Sequence, residues 1–91
     1  MSYIVYVLRS RKDGKLYVGC TSDITKRFKR HQKGEVVATA NRRPFDLIHT
    51  EQFESKAEAF NRERFLKSLW GARTKKKILL EWLKNKADGV F

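Results

Sequence analysis

The hydrophobic pattern at the start of the chain predicts two paired strands. Residues 3–8 (YIVYVL) form an apolar run of β-favouring side chains, which is typical of a strand buried on both faces. A polar segment centred on Asp13-Gly14 follows, and this dipeptide is a strong hairpin signal. Residues 16–20 (LYVGC) are therefore predicted to form a second strand that pairs antiparallel with the first.

A first helix and a third strand are predicted next. Thr21 or Ser22 is a suitable cap for the start of the helix, and Gly34 is a suitable stop after its basic last turn. Residues 45–53 alternate loosely between apolar and polar side chains, which predicts the third strand.

Two further helices are predicted in the last part of the chain. Residues 55–58 (SKAE) have the capping-box pattern and begin a helix that runs to about Trp70, with Gly71 as its stop. Thr74 can cap another helix, whose apolar face is formed by Ile78, Leu79, Trp82 and Leu83. The order β-β-α-β-α-α predicts an α+β fold in which helices cover a small sheet.

The charge of the chain indicates its class of partner. The 91 residues carry 21 Lys and Arg side chains against 10 Asp and Glu, a formal net charge of +11. This length fits one domain over residues 1–91. Because so large a charge opposes compaction, it indicates a polyanionic partner, with nucleic acid as the first candidate.

Several other classes of protein are excluded by composition. The single cysteine, Cys20, rules out an internal disulfide and a Cys-rich zinc site. The chain has no apolar stretch near the roughly 18 residues of a membrane span. Its first ten residues lack the basic region and cleavage site of a signal peptide. We therefore expect a cytoplasmic domain without a membrane partner.

Glu63 fits a purely structural role poorly. On the predicted helix, Glu63 lies on the same face as Ala59, Leu66 and Trp70, which form an apolar stripe. A carboxylate that faces a core is costly unless it is paired or binds a cation. One interpretation places Glu63 at the edge of the stripe, paired with Arg62, Arg64 or Lys67. The other makes it a metal ligand, and a lone carboxylate with waters suits Mg²⁺.

Arg27 and His31 lie four residues apart on the first predicted helix, beside the apolar edge formed by Ile24 and Phe28. The other cations of this helix are typical of a solvated basic face. At the apolar edge, the Arg27 guanidinium could reach a phosphate near the sheet through two hydrogen bonds. His31 could transfer a proton near neutral pH or only form a hydrogen bond.

Tyr6 and Tyr17 are predicted to share one face of the hairpin. If the hairpin is symmetric about Asp13-Gly14, Tyr6 opposes Thr21, and the period of two puts both rings on the same side. Strand tyrosines usually pack in a core with a tethered hydroxyl, but two beside an arginine and a histidine also suit a site with a phenolate base. Gly19 within the second strand indicates a bulge or a close approach by a ligand or another backbone.

The combination of these residues resembles the GIY-YIG nuclease domain. The segment 17–31 (YVGCTSDITKRFKRH) resembles the second motif and first helix of that family, and the segment 55–67 (SKAEAFNRERFLK) resembles its glutamate helix. The match covers a core of about residues 3–77, followed by a basic C-terminal helix at about 74–86. It is closest to small, stand-alone bacterial members related to the nuclease half of the excision-repair incision subunit.

The resemblance implies a three-stranded antiparallel sheet flanked by helices, and an endonuclease that cleaves DNA phosphodiesters with Mg²⁺ or Mn²⁺. It also implies the roles of individual residues. Tyr6 and Tyr17 take the places of the two motif tyrosines, and Arg27 that of the phosphate-contacting arginine. His31 matches the helix histidine, and Glu63 matches the single metal-binding carboxylate.

Two departures from the family pattern leave a second function open. The first motif reads Ile4-Val5-Tyr6 instead of Gly-Ile-Tyr, and residues 73–77 (RTKKK) stand where many catalytic members have an asparagine. The alternative is a nucleic-acid-binding module without catalysis. For either function, a basic surface is predicted to hold the backbone without reading sequence, formed by Lys26, Arg30, Arg42, Arg43, Lys75, Lys76 and Lys77.

Overall fold

The computed structural model describes residues 2–88 and contains one antiparallel sheet. Its strands are β1 (Tyr3–Ser10), β2 (Leu16–Thr21) and β3 (Phe45–Phe53), arranged in the order β2-β1-β3. β1 is therefore the central strand, and residues 5–8 are buried on both of its faces. The predicted sheet and the α+β class are confirmed.

The helices follow the predicted order, and Gly34 ends α1 as predicted, whereas some of the other helix ends differ from the prediction. They are α1 (Ile24–Lys33), α2 (Lys56–Lys67) and α3 (Ala72–Asp88). Gly34 ends α1 in the left-handed conformation, with φ 80°, which glycine adopts readily because it has no Cβ. Among the described residues, none of the helices has the length and apolar character that crossing a membrane requires.

The predicted caps of α1, Thr21 and Ser22, are wrong. The cap is Asp23, whose carboxylate accepts a hydrogen bond from the Lys26 backbone N–H at 3.0 Å. The Thr21 hydroxyl instead accepts from the Asp23 N–H at 3.1 Å and shapes the turn before the helix. The carboxylate is the better cap because it also interacts favourably with the positive end of the helix dipole.

α2 begins at the predicted Ser55 cap but ends at Lys67, before Trp70. The Ser68 hydroxyl donates to the Phe65 carbonyl at 2.6 Å, and a short 3₁₀ turn, Leu69–Gly71, leads directly into α3. Trp70 therefore lies beyond the end of α2, and α3 starts before the predicted Thr74.

The register of the β1–β2 hairpin also differs from the symmetric prediction. Tyr6 opposes Gly19 instead of Thr21, because Arg9 and Leu16 form the last strand pair before the turn. This offset equals two residues, which is one period of side-chain alternation along a strand. Tyr6 and Tyr17 therefore still share one face, as predicted.

Two apolar clusters lie on opposite faces of the sheet. On one face, the buried residues Tyr6, Leu8 and Phe45 pack with Ile24 and Phe28 of α1. On the other face, strand residues and the helices α2 and α3 form a second cluster of Val5, Val7, Val18, Ile48, Ala59, Leu66 and Ile78. One helix thus covers one face of the sheet, and two helices cover the other.

Candidate active site

The candidate site lies around the edge strand β2. Side chains reach this strand from α1 on one face of the sheet and from α2 on the other. The Lys67 ammonium of α2 lies 5.9 Å from the ring centroid of Tyr17 on β2. The charges of Arg27 on α1 and Glu63 on α2 both act on the pKa of the Tyr6 hydroxyl. The five residues matched to catalytic positions come from four separate elements: Tyr6 and His31 are fully buried, whereas Tyr17, Arg27 and Glu63 are half-buried.

The interior of the site is a chain of hydrogen bonds from β1 to the loop after α1. The Tyr6 hydroxyl lies 2.8 Å from His31 Nε2, and His31 Nδ1 lies 2.8 Å from the Thr39 hydroxyl. All three residues are fully buried. The Thr39 hydroxyl donates to the Val36 carbonyl at 3.4 Å, which leaves its oxygen to accept the Nδ1 proton. Nε2 then accepts the Tyr6 proton.

Burial keeps both members of the Tyr6–His31 pair neutral. It raises the pKa of Tyr6 to about 12, a shift that the Tyr17 hydroxyl increases and the Arg27 charge opposes. Burial also lowers the pKa of His31 to about 4, aided by the positive charges of Arg27 and Arg30. Of the two roles open to His31, its surroundings therefore favour a hydrogen-bond partner over a proton carrier near neutral pH.

Tyr17 lies at the outer side of this pair. Its ring centroid is 5.3 Å from that of His31 in an edge-on arrangement and 6.4 Å from that of Tyr6. Tyr17 is half-buried on the edge strand, whereas Tyr6 is fully buried on the central strand. Of the two tyrosines, Tyr17 is thus the one that water or a substrate can reach.

The close approach predicted at Gly19 comes from a side chain. A Cβ at this position would overlap the Tyr6 hydroxyl and ring, because Gly19 lies directly opposite Tyr6 on the paired strand. The Tyr6 side chain is therefore sufficient to explain why this position carries no side chain. The irregularity in the sheet lies elsewhere, where the β1–β3 register shifts between Val7 and Leu8.

Glu63 is mostly shielded from water and forms an ion pair. Its side chain is 16% exposed, and one carboxylate oxygen lies 3.0 Å from the Lys67 ammonium. Lys67 was one of the three partners that the sequence allowed. Arg62, another of them, instead forms two hydrogen bonds with Glu51, at 2.7 and 3.0 Å.

The donor set around Glu63 fits a hydrated Mg²⁺ better than a dehydrated ion. Among the described residues there is no group of three or more His, Cys, Asp and Glu side chains that could hold a metal. Mg²⁺ usually keeps several waters and takes one or two carboxylates, so a single glutamate is a sufficient protein ligand. Lys67 now supplies the positive charge that such an ion would bring to Glu63.

Arg27 lines two neighbouring clefts of about 230 Å³ each. In the first cleft it lies with two exposed cations, Lys26 and Arg30. In the second it faces Lys56 and Phe60, from the start of α2. The grouping of cations around Arg27 suits a phosphate, because guanidinium and ammonium groups bind phosphate oxygens through charge-assisted hydrogen bonds.

The remaining residues of the predicted basic surface divide into two groups. Lys76 and Lys77 are exposed on α3, and Lys75 is half-buried. In contrast, Arg42 pairs with the Asp13 carboxylate at 3.3 Å, and Arg43 donates to the Ala40 carbonyl at 2.9 Å. These two arginines hold the loop before β3 to the hairpin and to its own backbone.

Thr39 and Lys67 belong to this arrangement but were not predicted as site residues. Thr39 could not be identified from local sequence, because its contact with His31 depends on how the loop folds over α1. Lys67 had a signal, since it lies four residues after Glu63 on the same helix. Its position over the Tyr17 ring could be found only in the structure.

Comparisons with known proteins show what this chain is similar to. The family model of the GIY-YIG catalytic domain matches residues 2–77. The UPF0213 protein YazA of Bacillus subtilis is 36% identical over 99% of this chain and 89% of its own length. A UPF0213 protein of Natronomonas pharaonis is 43% identical over 86% of this chain and 89% of its own length.

A solved structure is also similar to this chain. The solution NMR structure of the UPF0213 protein BH0048 from Bacillus halodurans has a TM-score of 0.54 and 39% sequence identity. The match covers 89% of this chain and 84% of that one. The predicted resemblance to the nuclease-type fold is thereby confirmed for most of the chain.

Proposed function

The chain belongs to the GIY-YIG family, and we propose that it is a metal-dependent endonuclease that hydrolyses DNA phosphodiesters with little intrinsic sequence specificity. The observation that carries the proposal is the meeting of three elements at the β2 edge. Arg27 comes from α1, Tyr17 from β2 and Glu63 from α2. Each supplies a different group that phosphodiester hydrolysis needs.

Arg27 binds the scissile phosphate in this proposal. It lines both clefts at the end of β2 and shares the first of them with Lys26 and Arg30. A guanidinium held beside a phosphate stabilises the negative charge that grows on its oxygens in the transition state, and such stabilisation is usually the largest catalytic contribution. The neighbouring cations hold the backbone on either side without reading bases.

Glu63 would hold the divalent ion, Mg²⁺ or Mn²⁺, and the bound ion would polarise a phosphoryl oxygen as a Lewis acid. The shielded position of the Glu63 carboxylate favours this role, because electrostatic attraction is stronger where water is partly excluded. The Lys67 ammonium lies 3.0 Å from one of the two carboxylate oxygens, so it would repel the ion and compete with it for Glu63.

Tyr17 is the tyrosine that contacts the attacking water in this proposal. Its ring lies at the accessible edge of the sheet, beneath the Lys67 ammonium. The Tyr6 hydroxyl instead forms a hydrogen bond with His31 in the interior. Tyr6 and His31 act as positioning residues, because their hydrogen bond fixes α1, and hence Arg27, against the sheet.

The Lys67–Glu63 ion pair favours a second candidate, a nucleic-acid-binding module without catalysis. A carboxylate that already has a cation partner needs no metal to be stable in a shielded position. In this case the cations around Arg27 and on α3 bind the phosphate backbone, and Glu63 only positions Lys67.

A cleavage assay with matched variants separates the two functions. Labelled single-stranded, duplex and branched DNA, and RNA of the same sequence, are incubated with Mg²⁺, Mn²⁺ or a chelator. We expect metal-dependent cleavage of DNA that falls on the order of 100-fold in Glu63→Gln and in Arg27→Ala. Glu58→Gln is the control, since this exposed carboxylate lies on the same helix.

Two results would contradict the endonuclease. Equal cleavage by wild type and Glu63→Gln would identify a contaminating nuclease. DNA binding by wild type without cleavage in either metal, and with unchanged affinity in Glu63→Gln, would establish the binding module instead.

A further inference from the structure

The corner between α2 and α3 exposes two large apolar side chains. Leu69 is 93% exposed and Trp70 is 84% exposed. The second tryptophan, Trp82, is half-buried against the core. A tryptophan carries a large apolar surface that proteins usually cover, and an exposed one therefore indicates a contact surface.

The exposure of this corner is built into a closely packed turn. Gly71 is buried, and a Cβ there would overlap the Phe65 carbonyl oxygen and the Leu66 backbone. The Gly71 N–H donates to the Ser68 carbonyl at 3.1 Å, which closes the turn. Since the backbone is held against the end of α2 on both sides of the turn, Leu69 and Trp70 remain directed away from the core.

The sequence around the corner is strongly basic. Glu63 is the only carboxylate among residues 62–77, and Lys67 already neutralises it. Within the described part of the chain, no ion pair is recorded for four exposed cations of this segment: Arg64, Arg73, Lys76 and Lys77. An exposed apolar and aromatic pair thus lies within a segment of the chain that is rich in exposed cations.

We infer that the Leu69–Trp70 corner stacks on unpaired bases of the nucleic acid, so that the protein selects substrates with a single-stranded segment over blunt duplex. An aromatic side chain among cations is the combination that single strands recognise, because each nucleotide offers a flat base and a phosphate. Blunt duplex hides its bases inside the stack. A second copy of this chain is disfavoured, since it would bring the same positive charge to the corner.

The corner follows a residue of the candidate active site closely in the sequence. Lys67 lies three residues before Trp70 and contacts both Glu63 and the Tyr17 ring. A base stacked on Trp70 would therefore place the adjoining backbone near the β2 edge. The inference rests on nucleic acid as the substrate of the proposed function, and it concerns binding, so it does not depend on cleavage.

Tryptophan fluorescence tests the inference without any metal. Trp82→Phe leaves Trp70 as the single tryptophan, and this variant is titrated in chelator with a single strand, with the blunt duplex of the same sequence and with anionic vesicles. We expect strong quenching by the single strand and weak quenching by the duplex. Affinities are measured in parallel for Trp70→Ala, Trp70→Phe and the exposed apolar control Leu80→Ala.

Trp70→Ala should weaken single-strand binding on the order of tenfold and duplex binding less than about twofold. Trp70→Phe should restore most of the affinity, and Leu80→Ala should change neither. Unchanged single-strand affinity in Trp70→Ala, or an equal loss for both DNA forms, would overturn the inference. A response to vesicles alone, or a dimer that Trp70→Ala dissociates, would also overturn it. Selective quenching in a protein that cleaves no DNA would contradict only the endonuclease.

Discussion

The Tyr6 hydroxyl and the His31 Nε2 lie 2.8 Å apart in the interior, although one residue is on the central strand and the other is on α1. The contact joins α1 to the sheet beneath the candidate site. Arg27 lies one helical turn before His31, so the same contact sets where its guanidinium can reach. The pair therefore positions the site and does not itself need to exchange protons.

The His31 environment predicts that stability falls in mild acid. Its pKa is lowered from 6.5 to about 4 in the folded chain. The free energy of unfolding should therefore be highest above pH 6.5 and should fall as the pH drops toward 4, because the unfolded chain takes up the proton first. A loss of about 2–4 kcal/mol is expected. Denaturant titrations over this range measure it.

The control for this prediction is His31→Gln, which removes the titrating ring and keeps a polar side chain. Its free energy of unfolding should change much less over the same pH range. Asp46 and Glu51 also have lowered pKa values, owing to Arg11 and Arg62, and they contribute mainly at lower pH. Equal slopes for wild type and variant would show that His31 titrates normally in the folded state.

Gly19→Ala should destabilise the fold through Tyr6. The added methyl group would overlap the Tyr6 ring and hydroxyl, and overpacking of this kind costs about 1–3 kcal/mol. The cost should shrink when Tyr6 is also changed to Ala, because the space above Gly19 is then open. A double-mutant cycle by chemical denaturation measures the coupling. Additive effects would show that the two side chains do not meet.

Lys67→Met should strengthen metal binding at Glu63. The ammonium lies 3.0 Å from the carboxylate and competes with any other cation for it. Removing the charge should lower the Mn²⁺ concentration at half-saturation several-fold, measured by titration without substrate. Arg64→Met is the matched control, because this exposed cation is on the same helix. The same shift in both variants would point to general electrostatics, and no shift would place the metal elsewhere.

The exposed lysines of α3 should contribute to the salt dependence of DNA binding. Each phosphate contact adds about 0.9 to the slope of log affinity against log salt concentration. Lys76→Ala combined with Lys77→Ala should therefore flatten the slope by up to about 1.8, measured by anisotropy at several salt concentrations.

Arg42→Ala is the contrasting variant for the same measurement. Arg42 pairs with Asp13 and donates to the Leu16 carbonyl, so its loss should lower thermal stability more than it changes the salt slope. A larger slope change in Arg42→Ala than in the double lysine variant would mean that Arg42 leaves these contacts to bind phosphate.

Most secondary structure was predictable because its signals are local. Asp13-Gly14 indicated the hairpin, and Ser55 indicated the start of α2. The errors came where two local signals competed. Asp23 was the stronger of several possible caps for α1, and Ser68 ended α2 before the apolar stripe reached Trp70.

The sequence by itself determined the α+β order, the basic character and the shared face of Tyr6 and Tyr17. The shared face was predicted correctly although the predicted register of the β1–β2 hairpin was wrong. The register error was two residues, which is one period of side-chain alternation along a strand. Only the tertiary structure decided that His31 is buried between Tyr6 and Thr39, and that Lys67 lies over the ring of Tyr17. These contacts join different elements of the fold, so their distances depend on how the helices and the loop after α1 pack on the sheet, which no local pattern encodes.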